Sequence, residues 1–220
     1  MATLSQQTFL RENRDLLRSP ALVVGSRMYD YDDADLRVAL TDLGVESVFG
    51  IDIVDGPGVD QVVDICDADA FVDQRRGSFA TILCMEMITH VPQPFVLGSA
   101  VSDLLEPGGT LFLSECAVRK LSRMPADHWR FTYTGMQLLF PSLVFDDART
   151  RMSLPRDHGG TLLPYRDHLP EVLIDQRHPD ETALGFQVRR LHRRFLAKGV
   201  FGLSRLMPES SIASVARKPS

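Results

Sequence analysis

Residues 21–52 read ALVVGSRMYDYDDADLRVALTDLGVESVFGID. An apolar run breaks at Gly25, a helical spacing of apolar residues follows, and a second apolar run ends in the acid Asp52. This is the layout of a nucleotide-binding βαβ half. A buried parallel strand delivers Gly25 to a tight turn where backbone can approach a ligand. At the tip of the neighbouring strand, Asp52 can accept hydrogen bonds from ribose hydroxyls. A fragment of adenosine suits that pair.

The same alternation continues downstream. Apolar runs predict strands at about 21–25, 47–53, 60–65, 79–85 and 109–115, with helical patterns near 33–43 and 94–105. Strands alternating with helices give a parallel, doubly wound α/β sheet. Before it, Ser5 reads as the cap of a helix to Arg18, with Phe9, Leu10, Leu16 and Leu17 on one side and Pro20 as its stop. Beyond Glu115 the expected elements are a helix over 129–140, a strand over 143–152 and a last strand over 183–192. The late strands form an antiparallel terminal hairpin that completes a seven-stranded sheet. A long insertion, residues 150–182, lies between them, where function often resides.

Composition bounds the class. The chain has 220 residues, 44% of them hydrophobic, which suffices for the full core of one α/β domain. No apolar run approaches the roughly 20 residues of a membrane span, and no leader is visible at Met1, so the expected location is cytoplasmic. Cys66, Cys84 and Cys116 lack CxxC spacing and sit in or beside apolar strands, as reduced core thiols do. Residues 189–220 carry eight Lys/Arg against one Glu, which leaves −12 of the total −5 on residues 1–188. This basic C-terminal tail also carries Leu191, Phe195, Leu196, Val200, Phe201, Leu203 and Leu206. The favoured reading is a terminal strand and helix packed on the domain, with contact to an anionic membrane surface or a polyanion as the alternative.

Six stretches in order resemble the Rossmann-like S-adenosylmethionine-dependent methyltransferases, in particular the small methyltransferase-11-type group acting on small molecules. They are Val23-Val24-Gly25-Ser26-Arg27; Gly50-Ile51-Asp52-Ile53 with Gly56-Pro57-Gly58-Val59-Asp60; Val63-Asp64-Ile65; Leu83 to Val91, LCMEMITHV; Leu105-Glu106-Pro107-Gly108-Gly109-Thr110-Leu111; and Asp127-His128-Trp129-Arg130-Phe131-Thr132. The resemblance covers about residues 20–140, the expected cofactor-binding core of a single domain spanning 1–220. It implies that S-adenosylmethionine is held by Gly25, Ser26 and Arg27 at its methionine carboxylate and by Asp52 at its ribose. Asp64 and Ile65 would meet the adenine, the carbonyls of Cys84 and Met85 would meet the methionine ammonium, and Ile53 and Glu86 would complete the cofactor site.

The pattern also departs from that group's usual form: G-x-G-x-G has become Gly25-Ser26-Arg27-Met28-Tyr29, and Arg27 can serve as a charged clamp on a carboxylate. Asp30, Asp32, Asp33 and Asp35 follow, best read as helix caps; no metal site is assigned to them. If the acceptor is a hydroxyl, a histidine is the natural proton acceptor. His90, just past the fourth strand, and His128, in DHWRF, are the candidates, with Trp129 as a stacking wall. Arg156-Asp157-His158 and Arg166-Asp167-His168 in the insertion, with His178, read as the lining of an acceptor pocket for an oxygen-rich or anionic molecule.

The function expected is methyl transfer to oxygen or nitrogen of a small molecule such as a sugar, a nucleotide-linked sugar or a specialised metabolite. One alternative is a protein that kept this fold for a non-methylating or non-catalytic role. A second is a nucleic-acid methyltransferase, disfavoured by the acidic body and by the lack of a base-binding Asn-Pro-Pro-Tyr motif. A nicotinamide dehydrogenase is disfavoured because the later glycines of its fingerprint are absent.

Overall fold

The computed structural model describes residues 3–30, 32, 35–119, 121, 126–153, 162–165, 182–197 and 209–220, with 192–197 by backbone alone. Among the described residues nine strands form one sheet: β1 Ala21–Val24, β2 Val48–Asp52, β3 Gln61–Val62, β4 Phe79–Met85, β5 Leu105–Val118, β6 Val144–Phe145, β7 Arg151–Ser153, β8 Leu162–Pro164 and β9 Ser210–Arg217. Their order is β3-β2-β1-β4-β5-β9-β7-β8, with β6 also paired to β9. The first five run parallel; β9 is antiparallel to β5, β6 and β7, and β8 to β7. This is the doubly wound sheet with an antiparallel end, carrying short β6 and β8 beyond the seven strands expected.

The period of two decides which helices cover which face. Leu22, Val24, Ile82, Cys84, Leu111 and Leu113 pack under α3 (Asp69–Gln74), α4 (Pro94–Leu104) and α5 (Tyr133–Leu139). Their neighbours Ala21, Val23, Leu83, Met85 and Phe112 pack under α1 (Leu4–Glu12) and α2 (Leu36–Asp42). On that second face Phe9 of α1 meets Phe112 edge-on, with ring centroids 6.2 Å apart.

Four expectations change in detail. The N-terminal helix is capped by Thr3 in a reciprocal box with Gln6, not by Ser5, and ends at Glu12. The helix expected over 129–140 begins only at Tyr133, capped by Thr132. The strand expected over 143–152 is cut into β6 and β7 by a single 3-10 turn, Asp147–Arg149, that Asp146 caps. Residues 183–192 are not a strand but the start of a helix, α6 (Ala183–Ala197). The closing strand is instead β9, inside the basic tail. Asp33, Arg156 to His158, Arg166 to His168 and His178 lie outside the described residues.

One packing contact is tight enough to test. A Cβ added to Gly98 of α4 would stand 2.0 Å from the Leu139 carbonyl oxygen at the end of α5. Backbone cannot yield as a side-chain tip can, so Gly98→Ala is expected to destabilise the fold by about 2–3 kcal/mol in urea denaturation. An unchanged midpoint would mean that the two helices slide apart without cost.

Candidate active site

Ligands of doubly wound sheets sit at the carboxyl ends of the strands, where the winding direction reverses. Here that point lies between β1 and β4. Val24 is in register with Ile51 on one side and Cys84 on the other, so Gly25, Asp52 and Met85 come next in one row. A cleft of about 270 Å³ opens beside that row. Gly25, Arg27, Asp52, Ile53, Asp64, Ile65, Glu86 and His90 line it, together with Tyr29, Met87, Gln93 and Arg119. Ser26 and Met85 instead border a much smaller cavity next to it, Cys84 is buried in the sheet, and His128 is exposed outside the cleft.

The glycine turn differs from a simple anion nest. Gly25 has φ 73°, and a Cβ there would stand 3.0 Å from that of Met87, so both conformation and space select glycine. The amides that follow are already engaged. Gly25 and Ser26 both donate to Ile51 O, at 2.9 and 3.0 Å, and Met28 donates to Pro57 O at 2.9 Å. The Arg27 amide donates to Asp52 Oδ2 at 3.1 Å. The next helix, α2, starts only at Leu36, and Asp35 occupies its first amides, at 2.8 and 3.1 Å. Asp32 likewise accepts from the Tyr29 amide. These acids therefore cap, and the loop amides from Gly25 to Met28 already have acceptors within the protein. Arg27 lies on the cleft, its guanidinium 4.8 Å from the centre of the Tyr29 ring, and its buried Nε has no hydrogen-bond partner. That Nε is packed against Gly56, where an added Cβ would stand 2.7 Å from it, while the positive charge of the residue on the cleft wall suits an anionic group.

Asp52 is a spring clip for this loop. Oδ2 holds the Arg27 amide, and Oδ1 accepts from the Val54 amide at 3.1 Å, with lone pairs of both oxygens left over. Next to it Ile53 is 66% exposed at the rim, an apolar surface that a flat ring could cover. Asp64 turns one oxygen to the Cys66 amide at 3.0 Å and is otherwise exposed to the cleft.

The opposite wall is residues 86–91. Glu86 adopts φ 54°, unusual for a residue with a Cβ. Its carboxylate pairs with Arg119 at 3.2 Å. The following turn is built around Glu115, fully buried at the end of β5. It accepts from the amides of Met87, Ile88 and Thr89 at 3.0, 2.6 and 3.1 Å. Burial pushes its pKa up to about 8, helped by the Glu86 charge and opposed by the three amides. His90 ends this turn. The ring Nδ1 is 2.8 Å from Ala126 O, and a carbonyl can only accept, so Nδ1 carries the proton. In the neutral ring Nε2 then keeps its lone pair. The Trp129 indole donates to Val91 O at 2.9 Å, and the His128 amide donates to Thr89 O at 3.0 Å, which ties loop 126–132 to the same turn. Arg130 braces that loop through a two-pronged contact with Asp127 and a bond to Arg119 O.

Residues 31–144 match the family described as a methyltransferase domain. The chain belongs to that family. The methyltransferase-domain match therefore spans β2 to β5 and the whole 86–91 wall. Over 53 residues the chain is 49% identical to a ubiquinone biosynthesis O-methyltransferase of Xanthomonas campestris pv. campestris, 24% of this chain and 20% of that protein. The stretch in common is thus about a fifth of the curated relative's length. Among solved structures, the fold resembles a SAM-dependent methyltransferase from Archaeoglobus fulgidus, with a TM-score of 0.56 at 13% identity, covering 96% of this chain and 92% of that one. It also resembles a putative sarcosine dimethylglycine methyltransferase from Galdieria sulphuraria, with a TM-score of 0.59 at 12% identity and coverage of 98% and 85%. The methyltransferase domain has residues at its site that motif reading passed over: Arg119, which neutralises Glu86, Tyr29, under the Arg27 guanidinium, and Glu115, which shapes the wall. The Tyr29 signal was available as the aromatic two places after an unusual arginine. The Glu86–Arg119 pair joins residues 33 apart and had none.

Proposed function

We propose that the protein transfers a methyl group from S-adenosylmethionine to an oxygen or nitrogen of a small molecule. The observation that carries this reading is that Gly25, Asp52 and Glu86 meet around one cleft at the reversal of the sheet, with Arg27 on its wall. The chain's residues fit the cofactor from end to end. Arg27 would hold the methionine carboxylate and Glu86 the ammonium, with Cys84 and Met85 acting only through their backbone. Asp52 would take the ribose diol, Ile53 would cover the ring, and Asp64 and Ile65 would meet the adenine. When bound, the cofactor supplies a methyl group on a sulfonium, ready for in-line displacement. The protein's part is then to align the acceptor, keep water out and, for a hydroxyl acceptor, remove a proton.

His90 is suited to that last task. Its proton is fixed on Nδ1 by Ala126, which leaves the Nε2 lone pair to accept a proton in a residue that lines the cleft. His128 is exposed and supports the loop through its backbone. A hydroxyl acceptor agrees with the name of the Xanthomonas relative, an O-methyltransferase. Residues 20–140 would bind the cofactor within a single domain of 1–220, and the insertion 150–182 would stand on the acceptor side.

Calorimetric titration with S-adenosylmethionine and its demethylated product is the direct test. Micromolar binding of both supports the reading; binding of neither removes it. Once turnover is found on a panel of hydroxylated acceptors, His90→Ala should lower kcat about a hundredfold and leave affinity for the demethylated product unchanged. Equal turnover would reduce His90 to a scaffold for the 126–132 loop.

A further inference from the structure

Helix α6 has the sequence ALGFQVRRLHRRFLA. Leu184, Val188 and Leu191 follow the i, i+4, i+7 spacing and so share one face. They are 75%, 60% and 71% exposed. Phe186, on the other side, is half-buried, with the Arg189 guanidinium 5.3 Å from its ring centre. The helix thus turns its continuous apolar stripe outward. Such a stripe in water marks a surface that something covers.

Charge identifies the partner. Helix α6 carries four Arg and no Asp or Glu, which leaves −9 of the total −5 on the remainder. A polyanion without an apolar phase, such as nucleic acid, would use the cations and leave the stripe wet. An anionic bilayer uses both: headgroups meet the cations and acyl chains take the leucines. We propose that α6 is an interfacial helix that docks this protein on an anionic lipid surface. It lies in the plane of the interface, since no described helix is long and apolar enough to cross a membrane. The acidic remainder is repelled by the same surface, so docking fixes one orientation. The inference rests on the exposure and charge of α6 and is independent of what the cleft binds.

Vesicle flotation of the full chain tests it. Vesicles with about one-third phosphatidylglycerol in phosphatidylcholine should hold the protein at least tenfold more strongly than pure phosphatidylcholine, and raising salt from about 0.05 to 0.5 M should weaken that at least fivefold. The variant Leu184→Gln/Val188→Gln/Leu191→Gln changes only exposed side chains. It should keep its far-ultraviolet circular dichroism and lose at least tenfold in binding to the anionic vesicles. Equal binding to both vesicle types, or no loss in the variant, overturns the proposal. So does a concentration-dependent dimer, seen by sedimentation without vesicle binding, that the variant abolishes. Binding of duplex DNA that matches vesicle binding and survives the triple substitution would likewise reassign the helix to nucleic acid.

Discussion

Asp52→Ala is expected to weaken binding of S-adenosylmethionine and its demethylated product by ten- to a hundredfold, about 1.4–2.7 kcal/mol, in calorimetric titration. Two losses combine. The variant lacks the charged acceptor at the ribose position, and it frees the Arg27 and Val54 amides that the carboxylate holds at 3.1 Å each. The second loss lets the 25–28 loop drift, and with it the Arg27 guanidinium. Asp52→Asn separates the two. It keeps an oxygen for one amide but turns an NH2 toward the other donor, so it should recover part of the affinity at most. Unchanged affinity in Asp52→Ala would place the ribose elsewhere and leave Asp52 as a loop clip. Because Asp52 lies at a partly exposed strand tip, the thermal midpoint should fall only slightly, which distinguishes lost binding from lost fold.

The parallel half of the sheet was readable because its signals are local. Each apolar run of β1, β2, β4 and β5 ends at a glycine, an acid or a turn, and the helices between them have their own period. The same locality placed Asp52, Asp64 and His90 at strand ends. The antiparallel end was less readable for two physical reasons. In 183–192, Leu184, Phe186 and Val188 alternate by two, while Leu184, Val188 and Leu191 follow a helical period; over ten residues both patterns fit. The true last strand, SSIASVAR, hides behind small residues: Ser210 and Ser214 are buried beside Ile212 and Val215, so burial there leaves little trace in hydropathy. The engaged amides of the glycine loop depend on contacts with Ile51, Asp52 and Pro57 that no motif specifies. Glu115 was less visible still. A lone acid closing an apolar strand reads as the point where the strand meets water, and the donors that bury it come from a turn 26 to 28 residues earlier.

That buried carboxylate should give the protein a pH-dependent stability of unusual sign for an acid. Its pKa is raised to about 8 in the folded protein, against an ordinary 4.5 when unfolded. The folded state therefore binds the extra proton, and its advantage is complete below about pH 4.5 and is lost as pH rises through 8. At about 1.36 kcal/mol per unit of difference, the Glu115 contribution should fall by about 3–5 kcal/mol across that window. Glu115→Gln, which mimics the protonated group and cannot ionise, should flatten that part of the profile. Urea denaturation at pH 5, 7 and 8 should show wild type losing several kcal/mol relative to the variant, with other titrating groups cancelling in the comparison. Parallel profiles would mean that the three amides hold the carboxylate ionised throughout. Glu115→Ala takes away the acceptor altogether and leaves three donors facing a void, a cost of about 3 kcal/mol or more at any pH. Because those donors are Met87, Ile88 and Thr89, the alanine variant should also loosen the wall that carries Glu86 and His90. Affinity for the demethylated product should then fall in Glu115→Ala, and fall less in Glu115→Gln at pH 7, which keeps the oxygen that accepts from Met87 and Ile88. That contrast assigns Glu115 to positioning the cleft as well as to stabilising the fold.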